Sequence, residues 1–335
     1  MEDKLLFIIG SPRSGSTMLQ RMVGSHSRIF THPEPHLMTP LAHLGYFDNV
    51  EKAPYDHINA AKAIREFVEE LPGKEDDYVA ACKAYSDALY GGVLSGKDVD
   101  FFLDKTPAYA LITNFLARIY PGASYVALTR HPLAILSSYA NSFFEGDWRQ
   151  AYDFNPILDR YVPAIAGFIR REDVPKVHVR YEDVVSGPET HLKRIFEHMG
   201  LEHEPEAANY GKFKHVKKSF GDPKVDNNAR PVTASVAKWA RELANDAQKL
   251  SMARDIIAGL NPEDLATWGY PVETIFDPLD ELRRTGGAAP PPKERLNAYR
   301  IQRKALLKLR QNIHDNNFGK VVKTVRYYCD VLLRE

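Results

Sequence analysis

The chain opens on an unbroken apolar run, Leu5-Leu-Phe-Ile-Ile9, closed by Gly10. A short run without polar alternation reads as a strand buried on both faces, the kind found in parallel sheets. After the polar loop 11–15, Met18, Leu19, Met22 and Val23 return with a helical period. Further short runs predict strands at 101–103, 124–129 and 176–181, with helices over 108–120, 132–144 and 188–199. In the last of these, Leu192, Ile195, Phe196 and Met199 form one apolar stripe, the mark of a helix packed on a core. Strands alternating with helices predict an α/β fold: a P-loop-type parallel β-sheet flanked by helices, joined by right-handed crossovers. The span 54–94 reads as a helical insertion beside that sheet.

The segment Thr285-Gly-Gly-Ala-Ala-Pro-Pro-Pro-Lys293 breaks the pattern and reads as a linker. The expected organisation is therefore a main domain over 1–284, a linker over 285–293 and a helical extension over 294–335. The extension reads as a helical hairpin turning near Asn316-Asn-Phe-Gly319, with Val321, Val325, Tyr328 and Leu332 on one face. That face is expected to pack on the main domain; the alternative use is homodimerisation or partner docking.

Composition narrows the function. In 335 residues, 44 Lys and Arg balance 44 Asp and Glu, which argues against a nucleic-acid binder held by bulk positive charge. No stretch approaches the roughly 20 apolar residues of a membrane-spanning helix. Met1-Glu-Asp-Lys4 leads into the first strand without a basic targeting region, and a cytoplasmic location is the expectation. Cys82 and Cys329 have no ligand-spaced partners, so neither a disulfide framework nor a metal site is expected. There is likewise no H-E-x-x-H or calcium-loop spacing.

The candidate chemistry sits in Gly10-Ser-Pro-Arg-Ser-Gly15-Ser16-Thr17. A loop of this length and glycine placement aims backbone N–H groups and a helix N-terminus at an anion. In the nucleoside-triphosphate form a lysine follows the second glycine. Here Ser16 stands there, and the cation is Arg13. The strand 124–129 ends in Arg130, and Ser138 follows in the next helix.

These segments resemble the sulfotransferase superfamily, whose cofactor is 3′-phosphoadenosine 5′-phosphosulfate (PAPS), converted to adenosine 3′,5′-bisphosphate. The resemblance spans residues 5 to 275. It implies that Arg13, Ser14, Gly15, Ser16 and Thr17 hold the 5′-phosphosulfate, and that Arg130 and Ser138 grip the 3′-phosphate. It also places Tyr181, in Val179-Arg-Tyr-Glu-Asp183, near the adenine. Ser219 and Arg230, in a late loop that also carries Lys217, Lys218 and Lys224, would close over the cofactor. Lys105, in Leu103-Asp-Lys-Thr-Pro107, matches a lysine supporting the sulfuryl group in the protein-tyrosine branch. In Thr31-His-Pro-Glu-Pro-His36, Glu34 occupies the position of that branch's general base. A similar run in the polyketide-synthase branch makes His36 a second candidate. A glutamate between two prolines sits on a stiff backbone, which suits a positioned base.

The expected function is sulfuryl transfer from PAPS, without a metal, to a hydroxyl of a small-molecule, lipid or carrier-protein-bound acceptor. Phe143, Phe144 and Trp148 are candidates for the acceptor pocket. Two other readings stand beside it: a P-loop kinase using magnesium-ATP, and a non-catalytic nucleotide-binding or docking module.

Overall fold

In the computed structural model, which describes residues 1–35, 37–42, 64–216, 225, 228–285 and 317–332, the first apolar run forms β1 (Leu5–Gly10), every residue of it buried. It lies at the centre of a five-stranded parallel sheet with β2 (Ile29–Pro33), β3 (Phe101–Lys105), β4 (Ser124–Thr129) and β5 (Lys176–Arg180), in the order β2-β3-β1-β4-β5. The α/β fold class expected from the alternating pattern is the one observed. Successive β1 side chains serve opposite faces, as a strand's two-residue period requires. Leu5, Phe7 and Ile9 join one apolar core, and Leu6 and Ile8 the other.

Helices cover both faces. The helix α1 (Ser16–Val23) packs Met18, Leu19, Met22 and Val23 into the core that holds Leu6 and Ile8. The helix Pro188–His198 adds Leu192, Ile195 and Phe196 to the same core. On the other face, Ile157–Arg170 contributes Leu158, Val162, Ile165 and Phe168.

Three expectations shift in detail. The expected helix 108–120 divides into a 3₁₀ turn, Pro107–Leu111, and a helix, Thr113–Ile119. The break falls at Ile112 (φ −125°, ψ 28°), and the turn carries a fully buried Tyr109 whose hydroxyl donates to Asp104. A strand at Ile29–Pro33 was not anticipated, because His32 and Pro33 break its apolar pattern. It is an edge strand, where a proline costs no central ladder hydrogen bond. In the extension, the helix Asn317–Leu332 leaves Val321, Val325 and Tyr328 exposed at 60%, 55% and 59%, so these side chains do not make the expected packing on the main domain. The insertion is helical over Glu75–Leu94, with Cys82 and Tyr90 turned inward. Its 54–63 portion, His36, Ser219, Lys217, Lys218, Lys224, most of the linker and the first helix of the hairpin lie outside the described residues.

Candidate functional site

All strands run parallel, so their carboxyl ends share one edge of the sheet. Each delivers one or more of the sequence-predicted residues there. Glu34 follows β2, Lys105 ends β3, the loop 11–15 follows β1, Arg130 follows β4 and Tyr181 follows β5. The chain leaves β1 toward β3 and β2 on one side and later returns to β4 and β5 on the other. That reversal opens a crevice at the ends of β1 and β4, where open α/β sheets bind ligands.

The loop after β1 turns sharply. Ser14 N–H donates to Ser11 O at 3.2 Å, and Arg13 and Gly15 take positive φ values of 68° and 93°. Gly15 caps α1 without a side-chain acceptor, which leaves the first N–H groups of the helix directed at the crevice. Gly15 also lies directly under Tyr181: an added Cβ would come within 2.3 Å of its ring. Tyr181 in turn is sandwiched, with the Arg130 guanidinium 4.2 Å from its ring centroid. The Tyr181 hydroxyl shares a 2.8 Å hydrogen bond with Ser235 Oγ.

Arg130 is buried, and donates from Nη1 to Arg13 O at 2.9 Å and from Nη2 to Ser235 O at 3.3 Å. Burial pulls its pKa down, opposed by Tyr181 and Glu182. Such a charge is tolerable only where acceptors are supplied. Arg13 Nε donates to Ser138 Oγ at 3.2 Å, so the loop cation and the helix hydroxyl meet. Arg13, Gly15, Ser16, Thr17, Arg130, Ser138 and Tyr181 therefore all line one cleft of about 260 Å³. No acidic side chain is among the described residues lining it, while Arg13, Arg130 and Lys238 are. Buried Ser14 Oγ and Arg130 Nε have no hydrogen-bond partner among the described residues. Ser14 is buried in the loop and is not among the lining residues. Cation-rich walls and a glycine cradle fit a nucleotide carrying more than one phosphate group.

Glu34 and Lys105 lie beside the cleft rather than in its lining. Lys105 is fully buried, and its Nζ forms an ion pair with Glu34 Oε1 and lies 3.5 Å from Thr17 Oγ1. Thr17 lines the cleft and so links the two regions. Burial lowers the Lys105 pKa, and the Glu34 carboxylate works against that shift. The β2 end is fixed against α1 by Gln20, whose Nε2 donates to Thr31 Oγ1 at 2.8 Å and to His32 O at 3.0 Å.

Other candidates fall elsewhere. Arg230 is half exposed and pairs with Glu189 Oε1 at 2.5 Å. Trp148 and Phe144 are core residues, and only Phe143 of that trio is exposed. Sequence reasoning passed over Lys238, which lines the cleft and lies 3.8 Å from Glu242 Oε1. Its signal was the proximity to Trp239, a fully buried anchor that carries the lysine to the wall. Ser235, which touches both Arg130 and Tyr181, gave no signal in the sequence.

A model of the Sulfotransferase family matches residues 6–205. The nodulation protein NoeE of Sinorhizobium fredii (strain NBRC 101917 / NGR234) is 25% identical over 267 residues, covering 71% of this chain and 60% of NoeE. The omega-hydroxy-beta-dihydromenaquinone-9 sulfotransferase Stf3 of Mycobacterium tuberculosis is 23% identical over 29% of this chain and 28% of Stf3. The chain thus spans less than two thirds of the length of these curated relatives. Among solved structures, the sulfotransferase domain from the Synechococcus PCC 7002 olefin synthase has a TM-score of 0.49 at 20% identity, covering 77% of this chain and 95% of that domain. With the family model spanning more than half of the chain, from β1 past β5, the protein belongs to the sulfotransferase family.

Proposed function

We propose that this chain transfers a sulfuryl group from PAPS to a hydroxyl of a small-molecule, lipid or carrier-bound acceptor, and that residues 1–284 form the catalytic unit. The observation that carries this reading is the order of groups along the sheet edge: Glu34, Lys105, the Arg13 loop, Arg130, Tyr181. Neighbouring strands lie about 4.8 Å apart, so the row runs for roughly 19 Å, the scale of a nucleotide with an acceptor at one end. Tyr181 and Arg130 suit the adenosine and 3′-phosphate end. The loop amides and Arg13 suit the 5′-phosphate, and Glu34 stands at the acceptor end.

When bound, PAPS supplies the activated sulfuryl group and a phosphate leaving group. The chain's own residues supply charge and position. Arg13 and the N-terminus of α1 stabilise negative charge gathering on the leaving phosphate. Lys105 sits between Thr17 and Glu34, where its ammonium can follow negative charge on the transferred group. Glu34 accepts the proton of the acceptor hydroxyl as general base. In the resting geometry the Lys105 ion pair holds the Glu34 carboxylate in place.

The test is calorimetric titration of adenosine 3′,5′-bisphosphate against AMP and magnesium-ATP. The bisphosphate is expected to bind most tightly and without magnesium. Arg130→Ala should weaken it by about tenfold to a hundredfold, the worth of a charged hydrogen bond, while AMP changes far less. Preference for magnesium-ATP would establish a kinase instead, and equal losses for both nucleotides would remove the role given to Arg130.

A further inference from the structure

The backbone at Glu34 is strained. Its φ is 37°, in the left-handed region, and it lies between Pro33 and Pro35. A side-chain-bearing residue avoids that region, and one preceding a proline is steered toward extended conformations. Such a conformation persists only where its surroundings over-determine it. One end of the segment is held by the sheet, through the pairing of His32 with Asp104 and of Pro33 with Lys105. The other end is held through a different route. The Met38 N–H, opening the short helix Met38–Ala42, donates to the Tyr109 hydroxyl at 2.8 Å. That hydroxyl donates onward to Asp104 Oδ2 at 3.1 Å.

Asp104 is itself an expensive group to bury. It is fully enclosed, and also accepts from Tyr90 Oη at 2.7 Å and from Thr106 Oγ1 at 3.2 Å. Burial pushes its pKa up to about 6, against the pull of those donors and of Lys105. A carboxylate kept in an apolar interior calls for a reason beyond stability, since an apolar residue packs there at lower cost. It is next to Lys105 in β3, with side chains on opposite faces of the sheet.

We propose that Asp104 is a positioning residue for Glu34, acting through Tyr109 and the Met38 amide to clamp the turn at Glu34 in its strained form. This rests on the reading of Glu34 as the base. The chain N–H to O–H to carboxylate is polarised in one direction, which strengthens each link. Its two anchors, the sheet register and the Met38 amide, are only a few residues apart, so the left-handed turn at Glu34 has little slack. Loss of the clamp would let the turn relax toward extended backbone and carry the carboxylate away from the acceptor side.

The experiment uses the full chain and compares wild type with Tyr109→Phe and Asp104→Asn. The first keeps the buried ring and removes the relay. The second keeps an acceptor oxygen and removes the charge. Amide hydrogen exchange is followed in peptides covering 33–42 and in the central strands, beside calorimetric affinity for adenosine 3′,5′-bisphosphate and release of that bisphosphate from PAPS with water as acceptor. Tyr109→Phe is expected to raise exchange in 33–42 about tenfold and to slow bisphosphate release by about tenfold or more, as misplacement of a catalytic group does. Strand exchange and bisphosphate affinity should stay within about twofold, and Asp104→Asn should be milder. Unchanged exchange in 33–42, or a rise shared equally by the strands, overturns the clamp. Local loosening with unchanged bisphosphate release overturns the positioning role. A wild type that fails to bind the bisphosphate refutes the nucleotide assignment, a different result from either.

Discussion

Substitution of Gly15 by alanine tests the centre of the nucleotide cleft with two separable costs. The first is conformational: at φ 93°, an L residue with a Cβ pays about 1–2 kcal/mol. The second is steric. The new methyl would meet Tyr181 Cδ2 at 2.3 Å and Cε2 at 2.5 Å. The ring cannot simply swing aside, because its hydroxyl is bonded to Ser235 and Arg130 is stacked over it. Overpacking of this kind costs about 1–3 kcal/mol. Together the expected loss is about 2–5 kcal/mol, read from urea midpoints of the intact chain and accompanied by weakened bisphosphate binding. Repeating Gly15→Ala in a Tyr181→Ala background should recover the steric part and leave the conformational part, a coupling of about 1–3 kcal/mol for residues in contact. A cost below about 1 kcal/mol, or the same cost in both backgrounds, would show that the ring does not rest on the loop as described.

Two other outcomes follow from the site. Glu34→Gln should lower turnover by about 10²–10⁴-fold, the range for loss of a general base, with bisphosphate affinity within about twofold; unchanged turnover assigns the base elsewhere. The His131 ring, stacked 4.0 Å from Trp239 and bonded to Ile275 O, is held neutral by burial, which pulls its pKa down to about 3. Below pH 6.5 the unfolded state takes up this proton first, so stability falls as pH drops toward 3. By pH 4 the loss attributable to this ring is about 3 kcal/mol, at ~1.4 kcal/mol per pH unit. His131→Gln should be less stable than wild type at pH 7, with a gap that narrows toward pH 4. The opposite contribution of Asp104, favouring the folded state in acid, is common to both proteins and cancels. A gap independent of pH would place the ring in contact with solvent.

The sequence was legible wherever local chemistry dictates structure. The apolar run 5–9 reads as a buried strand, and the loop that follows as the start of a helix, as the structure has them. Arg130 with Ser138, and Tyr181 at a strand end, were readable through the resemblance of their segments to the sulfotransferase pattern. The edge strand Ile29–Pro33 was not, since its half-exposed, proline-ended pattern resembles a loop, and only pairing with β3 makes it a strand.

Arg230 and Lys238 show where local pattern stops. Both are cations in the same late stretch, and the sequence favoured the first. The fold pairs Arg230 with Glu189 and leaves it out of the cleft lining, and sets Lys238, next to the buried Trp239, on its wall. Which of two equally exposed cations borders the cleft depends on what the neighbouring apolar side chain packs against, and that partner is remote in sequence. Asp104 is the same case in reverse: nothing local beside Lys105 marks its carboxylate as a fully buried one. The sequence by itself determined four of the five strands, the anion loop and the residue types that follow them. Only the tertiary structure decided their order along the edge, because strand order arises from crossovers between distant segments. It alone also decided which polar groups are buried, since burial is a property of the packed layers and not of any one stretch of chain.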